Sequence, residues 1–357
     1  MMLYKLLVEF SRQGVQSEVI SIRKLGPMAE KIEQAGISVH TLNLGLGLRH
    51  AAFSVPLLIW KTRHFAPSVI QGWMYHGNLF ATISSLFMSR QVLLCWNIRQ
   101  TLYDIKKEKR LTAWTIWIGK HLSKRPTHIL YNSNLSAHQH EKYGYSARQT
   151  TVVFNGFDLG EFKPDSRSRI GVRRELNIRT RYVVGHIARF HPKKDHQTFL
   201  KATRVIVDEI EDVTFVMVGR GVALSNTTLA TYVKECNLGD KMCLLGERLD
   251  ISRLMTAMDV VVSSSGWGEG FSNVIGEAMS SGALCVVTNV GDSKEIVGDA
   301  GIVAPPYSVE GIANGVIRLL KYSTKKRLRI GERGRQRMIQ NYSIDNIALQ
   351  YLQIYRR

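Results

Sequence analysis

Cysteine is scarce in this 357-residue chain: there are four in all, at Cys95, Cys236, Cys243 and Cys285. They are scattered and form no C-x-x-C, so neither a disulfide framework nor a zinc site is expected, and a reducing cytoplasm fits. Acidic residues are also in deficit, with 29 Asp and Glu against 48 Lys and Arg, for a formal net charge of +19. Such a surplus suits nucleic acid, an anionic membrane surface or phosphorylated small molecules, and net charge does not choose among them. No G-x-G-x-x-G follows a strand, which removes the fingerprint that a nicotinamide-dependent dehydrogenase carries.

Long apolar runs are missing as well. Residues 65–89 hold no charged side chain, and about 20 apolar residues suffice to span a bilayer. Gln71, Gly72, His76, Gly77 and Asn78 sit at the centre of that run, where unpaired polar groups in hydrocarbon are costly. The segment reads instead as a buried strand over 69–75 followed by a helix from about residue 78. The opening MMLYKLLVEFSRQG has an early Lys5 and Glu9 and no apolar core before a small-residue cleavage site, so a secretory leader is not expected.

What is present is the composition of a globular protein, 45% hydrophobic and 22% charged. That excludes a disordered tail and a collagen-like repeat, and the length predicts about two domains. Residues 1–155 contain 19 Lys and Arg but 7 Asp and Glu, so most of the charge surplus lies in the first half. Within it, the segment IKKEKRLTAWTIWIGKHLSKR at 105–125 repeats Trp114, Ile118 and Leu122 at a spacing of four. Lys106, Lys107, Lys109, Arg110, Lys120, Lys124 and Arg125 cluster towards its ends. The spacing predicts a core-facing helix with solvated ends, and a basic amphipathic helix on an anionic bilayer is the competing reading.

Strand-like runs alternate with helical patterns along the whole chain, the signature of α/β units on parallel sheets. The runs are 18–22, 39–44, 69–75, 92–96, 129–132 and 151–154, then 182–187, 214–218, 242–245, 260–263, 284–288 and 301–303. Between the two sets, Asn155-Gly156-Phe157-Asp158 and Phe162-Lys163-Pro164-Asp165 form a turn-rich stretch suited to a domain boundary. A doubly wound domain normally opens with a strand and a Gly-rich turn. Here residues 2–11 already read as a helix, with Leu3, Leu6, Leu7 and Phe10 on one face.

The most informative window is DVVVSSSGWGEGFSNVIGEAMSSGALCVVTNVG, residues 259–291. A strand runs into the turn Gly266-Trp267-Gly268-Glu269-Gly270 and then into a helix over about 272–280. The amides of Gly270, Phe271, Ser272 and Asn273 stand at the positive end of the helix dipole, an arrangement suited to a diphosphate. Glu269 and Glu277 can face one crevice, where a carboxylate can accept hydrogen bonds from ribose hydroxyls; helix-end and solvated charges are the plainer reading. A second window, VVGHIARFHPKKDHQT at 183–198, places Arg189, Lys193 and Lys194 after a strand. Basic side chains there point into the ligand crevice of an open parallel sheet, and Arg189 with Lys194 suits a diphosphate leaving group.

Gly185, Arg189 and Lys194-Asp195, Val218-Gly219-Arg220-Gly221, Leu245-Gly246-Glu247-Arg248 and Glu269-Gly270-Phe271 with Glu277-Ala278-Met279 together resemble the retaining glycosyltransferases of family 4. Two glutamates separated by seven residues are that family's hallmark, and Asn155-Gly156-Phe157-Asp158 is similar to its interdomain Asn-Gly-x-Asp. The resemblance runs over roughly residues 3–355. It implies an α/β fold of GT-B type, with two Rossmann-like doubly wound domains facing a central cleft. The expected division is 1–158 on the acceptor side, 159–342 for the nucleotide-sugar, and a helix over 343–357 packing back on the first domain. Residues 162–164 and that helix would form the hinge. The family's opening strand and Gly-Gly turn have no counterpart here, so the first domain is expected to lack its opening strand, about 15–20 residues.

By the same resemblance, the activity implied is transfer of a sugar from a UDP- or GDP-linked donor to an acceptor hydroxyl with retention. A lipid-linked glycan of cell-envelope polysaccharide assembly (lipopolysaccharide, capsule or exopolysaccharide) is the implied acceptor. Arg189 and Lys194 would bind the diphosphate, and Glu277 the ribose. Glu269 with the amides of Gly270, Phe271 and Ser272 would hold the sugar and its phosphate, beside Asn273. Gly219 would line the donor site, and Gly246 and Arg248 would lie by the base. His76 would face donor sugar and acceptor, with Asn97 and Arg99 as further acceptor-side residues. No cofactor or metal is expected, since no Asp-x-Asp occurs and the cations would take a metal's place. The expected location is the cytoplasm, with the inner face of the cytoplasmic membrane as a peripheral site. An inactive truncated relative, or a Rossmann-type nucleotide-binding protein of another class, is the alternative. A nucleic-acid role would rest on the basic run at 325–337, which reads as a solvated face.

Overall fold

The computed structural model describes residues 1–44 and 48–356, apart from the side chains of 48–52 and Lys107. The Lys107 side chain and Arg357 thus lie outside the described residues. The chain divides into two compact units, Met1–Gly156 with Ile344–Arg357, and Phe157–Ser343.

The first unit opens on α1 (Met2–Arg12), whose Leu6, Leu7 and Phe10 are buried. There follow β1 (Glu18–Ser21), α2 (Pro27–Gln34), β2 (Ser38–Thr41), α3 (Leu48–Phe65), β3 (Val69–Gln71), α4 (Met74–Leu86), β4 (Leu93–Ile98), α5 (Arg110–Leu122), β5 (His128–Tyr131), α6 (Asn134–Tyr143) and β6 (Thr150–Val152). All pairings are parallel, β1 with β2 in one sheet and β3-β4-β5-β6 in another. No ladder joins the two sheets among the described residues. Trp96, Ile98, Ile129 and Tyr131 form the core of the larger sheet, and the Trp96 indole donates to Thr82 Oγ1 at 2.9 Å.

Two local expectations are corrected here. The strand expected over 69–75 stops at Gln71 and the helix begins at Met74, four residues early. The cause is a tight turn: Met74 adopts φ 64°, and Gly72 lies so close to Asn78 that a Cβ would overlap it. On α5 the buried side is Thr115, Ile116 and Gly119, not the face centred on Trp114, which is 60% exposed. Gly119 decides this, because its missing side chain admits the Tyr145 ring, whose hydroxyl donates to the Ile116 carbonyl at 3.0 Å.

The second unit contains α7 (Ser166–Glu175), β7 (Tyr182–Ile187), α8 (His196–Glu209), β8 (Val213–Val218), α9 (Thr227–Cys236), β9 (Met242–Leu244), α10 (Ile251–Thr256), β10 (Val260–Ser263), α11 (Asn273–Ser280), β11 (Leu284–Thr288), α12 (Ser293–Val297), β12 (Gly301–Ala304), α13 (Val309–Lys321) and α14 (Thr324–Tyr342). Its sheet runs β12-β11-β10-β7-β8-β9, all parallel. The order therefore reverses between β7 and β10, which makes the carboxyl ends of those two strands the natural ligand crevice. Helices cover both faces, so β8, β10 and β11 are apolar and buried along nearly their whole length.

The basic run at 325–337 lies on α14 and is not simply a solvated face. Arg327 donates to the Leu320 and Tyr322 carbonyls, Arg335 to those of Phe162 and Ser280, and Arg337 to those of Glu295 and Ile296. Guanidinium groups there satisfy carbonyls left over at helix ends.

The chain returns to the first unit as α15 (Ile344–Tyr355). Tyr351 and Tyr355 meet Phe10 edge-on at 6.3 and 5.9 Å between ring centroids. In the second unit, Gly276 on α11 lies against the buried Phe157 ring, which a Cβ at that position would overlap. Gly276→Ala should destabilise the protein by about 1–3 kcal/mol through overpacking. In chemical denaturation, Phe157→Leu in the same background should recover part of that loss.

Candidate functional site

Two loops meet where the strand order reverses. The loop after β7 carries Arg189, His191, Lys193 and Lys194, and the turn after β10 carries residues 266–270. The Gly266 amide donates to the Lys193 carbonyl at 2.9 Å, and Lys193 Nζ lies 4.7 Å from the Trp267 ring centroid. Lys194 Nζ is hydrogen-bonded and ion-paired with Glu269 Oε1, to which Ser265 Oγ also donates at 3.3 Å. Two residues 75 apart in the chain, singled out separately in the sequence, are thus brought into one contact.

Buried groups hold that contact from behind. Ser264 Oγ donates to the Lys194 and Asp195 carbonyls at 2.8 and 3.1 Å, and His186 Nε2 lies 2.9 Å from the same hydroxyl. Burial, then the neighbouring His196 and Lys194, push the His186 imidazole well below its ordinary value. Asp195 takes φ 45° and caps α8 through the Thr198 amide. Sequence reasoning missed this buttress, whose only signal was the polar run Ser263-Ser264-Ser265 at a strand end.

Glycines set the backbone approaches. Gly219 adopts φ 150°, and a Cβ there would strike the Ala188 carbonyl. Its amide donates to the Gly246 carbonyl at 2.8 Å, so the loops after β7, β8 and β9 are pinned together. Gly291, also missed, has φ 62° and lies against the Glu269 and Gly270 carbonyls, while the Asp292 amide donates to Gly270 at 2.9 Å. The turn bearing Glu269 is therefore braced by the loop after β11.

Helix α11 starts directly beyond that turn. Ser272 is its buried N-cap residue, and its hydroxyl makes no cap hydrogen bond. Asn273 is exposed, and Glu277 is half-buried one turn on. Phe271 is buried against Phe157 and Tyr342, at 6.0 and 5.7 Å between ring centroids, which anchors the helix start. Arg189 is exposed at the mouth. The local field is cationic: desolvation, then Arg189, Lys193 and Lys194, hold His191 below its usual imidazole range. Amides at a helix start and ammonium and guanidinium groups around one crevice are the elements from which an anion site is built.

Other expected residues already have partners within the protein. Arg248 pairs bidentately with Asp250 at 2.7 Å and reaches Glu175 at 3.0 Å, holding Asp250 down to about 2. Its charge is paired with these two carboxylates. In the first unit Asn97 is fully buried and donates to the Tyr351 hydroxyl at 2.7 Å. Arg99 donates to the same hydroxyl at 3.1 Å, contacts Asn155 Oδ1 and lies over the Trp73 ring at 5.2 Å. Both are engaged in fastening α15. His76 is half-buried in the first turn of α4, with Nε2 3.3 Å from Thr115 Oγ1, and burial then Arg23 lower its pKa.

Residues 1–161 match the family model described as Glycosyltransferase Family 4, and residues 181–322 match that described as Glycosyl transferases group 1. The chain belongs to the family 4 glycosyltransferases. An Escherichia coli UDP-Gal:alpha-D-GlcNAc-diphosphoundecaprenol alpha-1,3-galactosyltransferase is 28% identical over 61% of this chain and 57% of its own. N-acetyl-alpha-D-glucosaminyl L-malate synthase of Bacillus anthracis is 31% identical over 48% of this chain and 44% of its own. The chain thus spans about half the length of these curated relatives. Among solved structures, Anabaena HepE in complex with UDP superposes with a TM-score of 0.85 at 23% identity, over 99% of this chain and 94% of that one. A Rickettsia africae glycosyltransferase gives 0.83 at 16% identity, over 98% and 92%. The fold of this family 4 member is accordingly GT-B.

Two measurements check the site. Adding pyrophosphate or UDP places negative charge beside His191, which favours the imidazolium, so its pKa followed by NMR should rise; no movement would remove the anion site. Gly219→Ala should abolish that response, because the displaced Ala188 carbonyl misplaces the Arg189 loop.

Proposed function

We propose that this protein transfers a sugar from a nucleoside diphosphate to an acceptor hydroxyl, with retention at the anomeric carbon. The observation that carries the reading is the Lys194–Glu269 contact at the β7/β10 reversal, which joins a cationic loop to a helix N-terminus. On this reading the second unit binds the donor. Arg189 and Lys194 take the diphosphate and stabilise charge on the departing nucleotide, with Lys194 exchanging Glu269 for phosphate oxygen as the donor enters. The amides of Gly270, Phe271 and Ser272, beside Asn273, hold the phosphate next to the sugar. Glu269 orients the sugar and Glu277 accepts from the ribose hydroxyls. Gly246, pinned to Gly219, lies beside the base.

The acceptor oxygen bonds to the anomeric carbon on the face the diphosphate leaves. The bond from that carbon to the phosphate oxygen breaks, and the departing phosphate takes the acceptor's proton. Alignment and charge stabilisation are the protein's contribution. His76 is the acceptor-side residue we favour in the first unit. The E. coli relative's name specifies a UDP-sugar and a diphosphoundecaprenol-linked acceptor, and HepE was crystallised with UDP. These support a UDP-linked donor and a lipid-linked glycan of envelope polysaccharide assembly, met at the cytoplasmic face of a membrane. Among the described residues no helix is long and apolar enough to cross one.

A panel of UDP- and GDP-sugars tested by thermal unfolding and calorimetry examines this. A true donor at a hundred times its Kd should add about 2.7 kcal/mol of stability. Arg189→Ala and Glu277→Gln should each weaken it by about 1.5–3 kcal/mol, ten-fold or more, as for a lost hydrogen bond to a charged group. Donor affinity unchanged in both variants would overturn the assignment. With a lipid-linked saccharide as acceptor, NMR of the product should show the donor's own anomeric configuration.

A further inference from the structure

The first unit carries an apolar stripe that its own fold leaves uncovered. On α5, Leu111, Trp114 and Trp117 are 61%, 60% and 50% exposed, while Thr115, Ile116 and Gly119 face the core. Positions three apart on a helix share one side, and His121, whose ring meets that of Trp117 at 4.8 Å between centroids, continues it. Large side chains exposed together in this way mark an interaction surface.

The surroundings say what covers it. Lys106, Lys109 and Arg110 are exposed at the start of the stripe, and Lys124 and Arg125 just past its end. No Asp or Glu occurs between Glu108 and Glu141, and Glu108 itself accepts a hydrogen bond from Gln100 at 2.8 Å. Two indoles and a leucine framed by cations match an anionic headgroup layer over hydrocarbon, the level at which tryptophan settles. A second copy of the chain is a poor occupant, because two such faces would set cation against cation.

We propose that α5 is a membrane-docking face, with Leu111, Trp114 and Trp117 entering the interface of an anionic bilayer and the flanking cations on lipid phosphates. The outward orientation of Trp114 corrects the core-facing expectation for that residue, while Leu122 of the same stripe does pack against the core. This surface does not involve the donor site, and its test needs neither donor nor acceptor.

The whole chain is floated with vesicles of phosphatidylcholine alone or with phosphatidylglycerol at 40 mol%, a composition of roughly the charge at which basic segments bind. Binding to the anionic vesicles only, weakened by salt and accompanied by a blue shift of tryptophan emission, is expected. Trp114→Ser with Trp117→Ser should lower binding at least ten-fold, since each large apolar side chain contributes a factor of about ten. The melting midpoint and the stabilisation by UDP should stay as in the parent, both side chains being half or more exposed. Lys109→Glu with Arg110→Glu should remove the preference for anionic vesicles. An unmodified chain that does not float, or a double tryptophan variant that floats as well as the parent, overturns the proposal. So does a chain that dimerises through this face and ignores vesicles. Loss of UDP stabilisation in the unmodified chain would instead count against the donor site alone.

Discussion

The pairing of β7 with β10 is the constraint on which the chemistry of the second unit rests. Parallel strands need crossover connections, and where the order reverses the connections leave to opposite faces and open a crevice at the carboxyl ends. Arg189, Lys194, Glu269 and the start of α11 lie on the segments leaving those two strands, and Gly219 and Gly291 on loops packed beside them. Gly219 and Gly291 allow the wedging, each placed where a side chain would strike a neighbouring carbonyl. The Lys194–Glu269 contact is the outcome, a pair of opposite charges held half-buried by Ser264, Ser265 and His186.

The charge surplus has three destinations. Part of it is structural: Arg327, Arg335 and Arg337 satisfy carbonyls at the ends of α13, α11 and α12, and Arg169 pairs with Asp259 at 2.8 Å, whose other oxygen accepts the Val183 amide. These groups are too engaged to attract a polyanion. A second part, at 189–194, lines the crevice at the β7/β10 reversal. A third, around α5, is exposed beside aromatic side chains. The last two groups lie on different units.

The first unit shows how a polar residue at a strand end can serve architecture. Buried Asn97, Asn155 and Tyr351 and half-buried Arg99 form one network that ties the end of β4 to α15. Such groups are costly when unpaired and stabilising when satisfied together, so the last helix is held by hydrogen bonds as well as by Phe10 and its neighbours.

The sequence by itself determined the strands, the fold class and the donor-site motifs. The strands buried on both faces were legible as unbroken apolar runs, β8, β10 and β11 above all, whereas β1 and β2 are short and partly polar and showed only as brief runs between helical patterns; Glu269, Glu277, Arg189 and Lys194 stood out as residue types suited to a diphosphate after such strands. Tertiary structure alone decided which way side chains point and what they meet. Trp114 faces outward because Gly119 admits Tyr145 on the opposite side. Arg248 is neutralised by Asp250 and Glu175, and the helix at 74 begins early around Gly72 and Asn78. Each of these depends on a partner distant in the chain or on a turn's close packing, and periodicity carries no information about either.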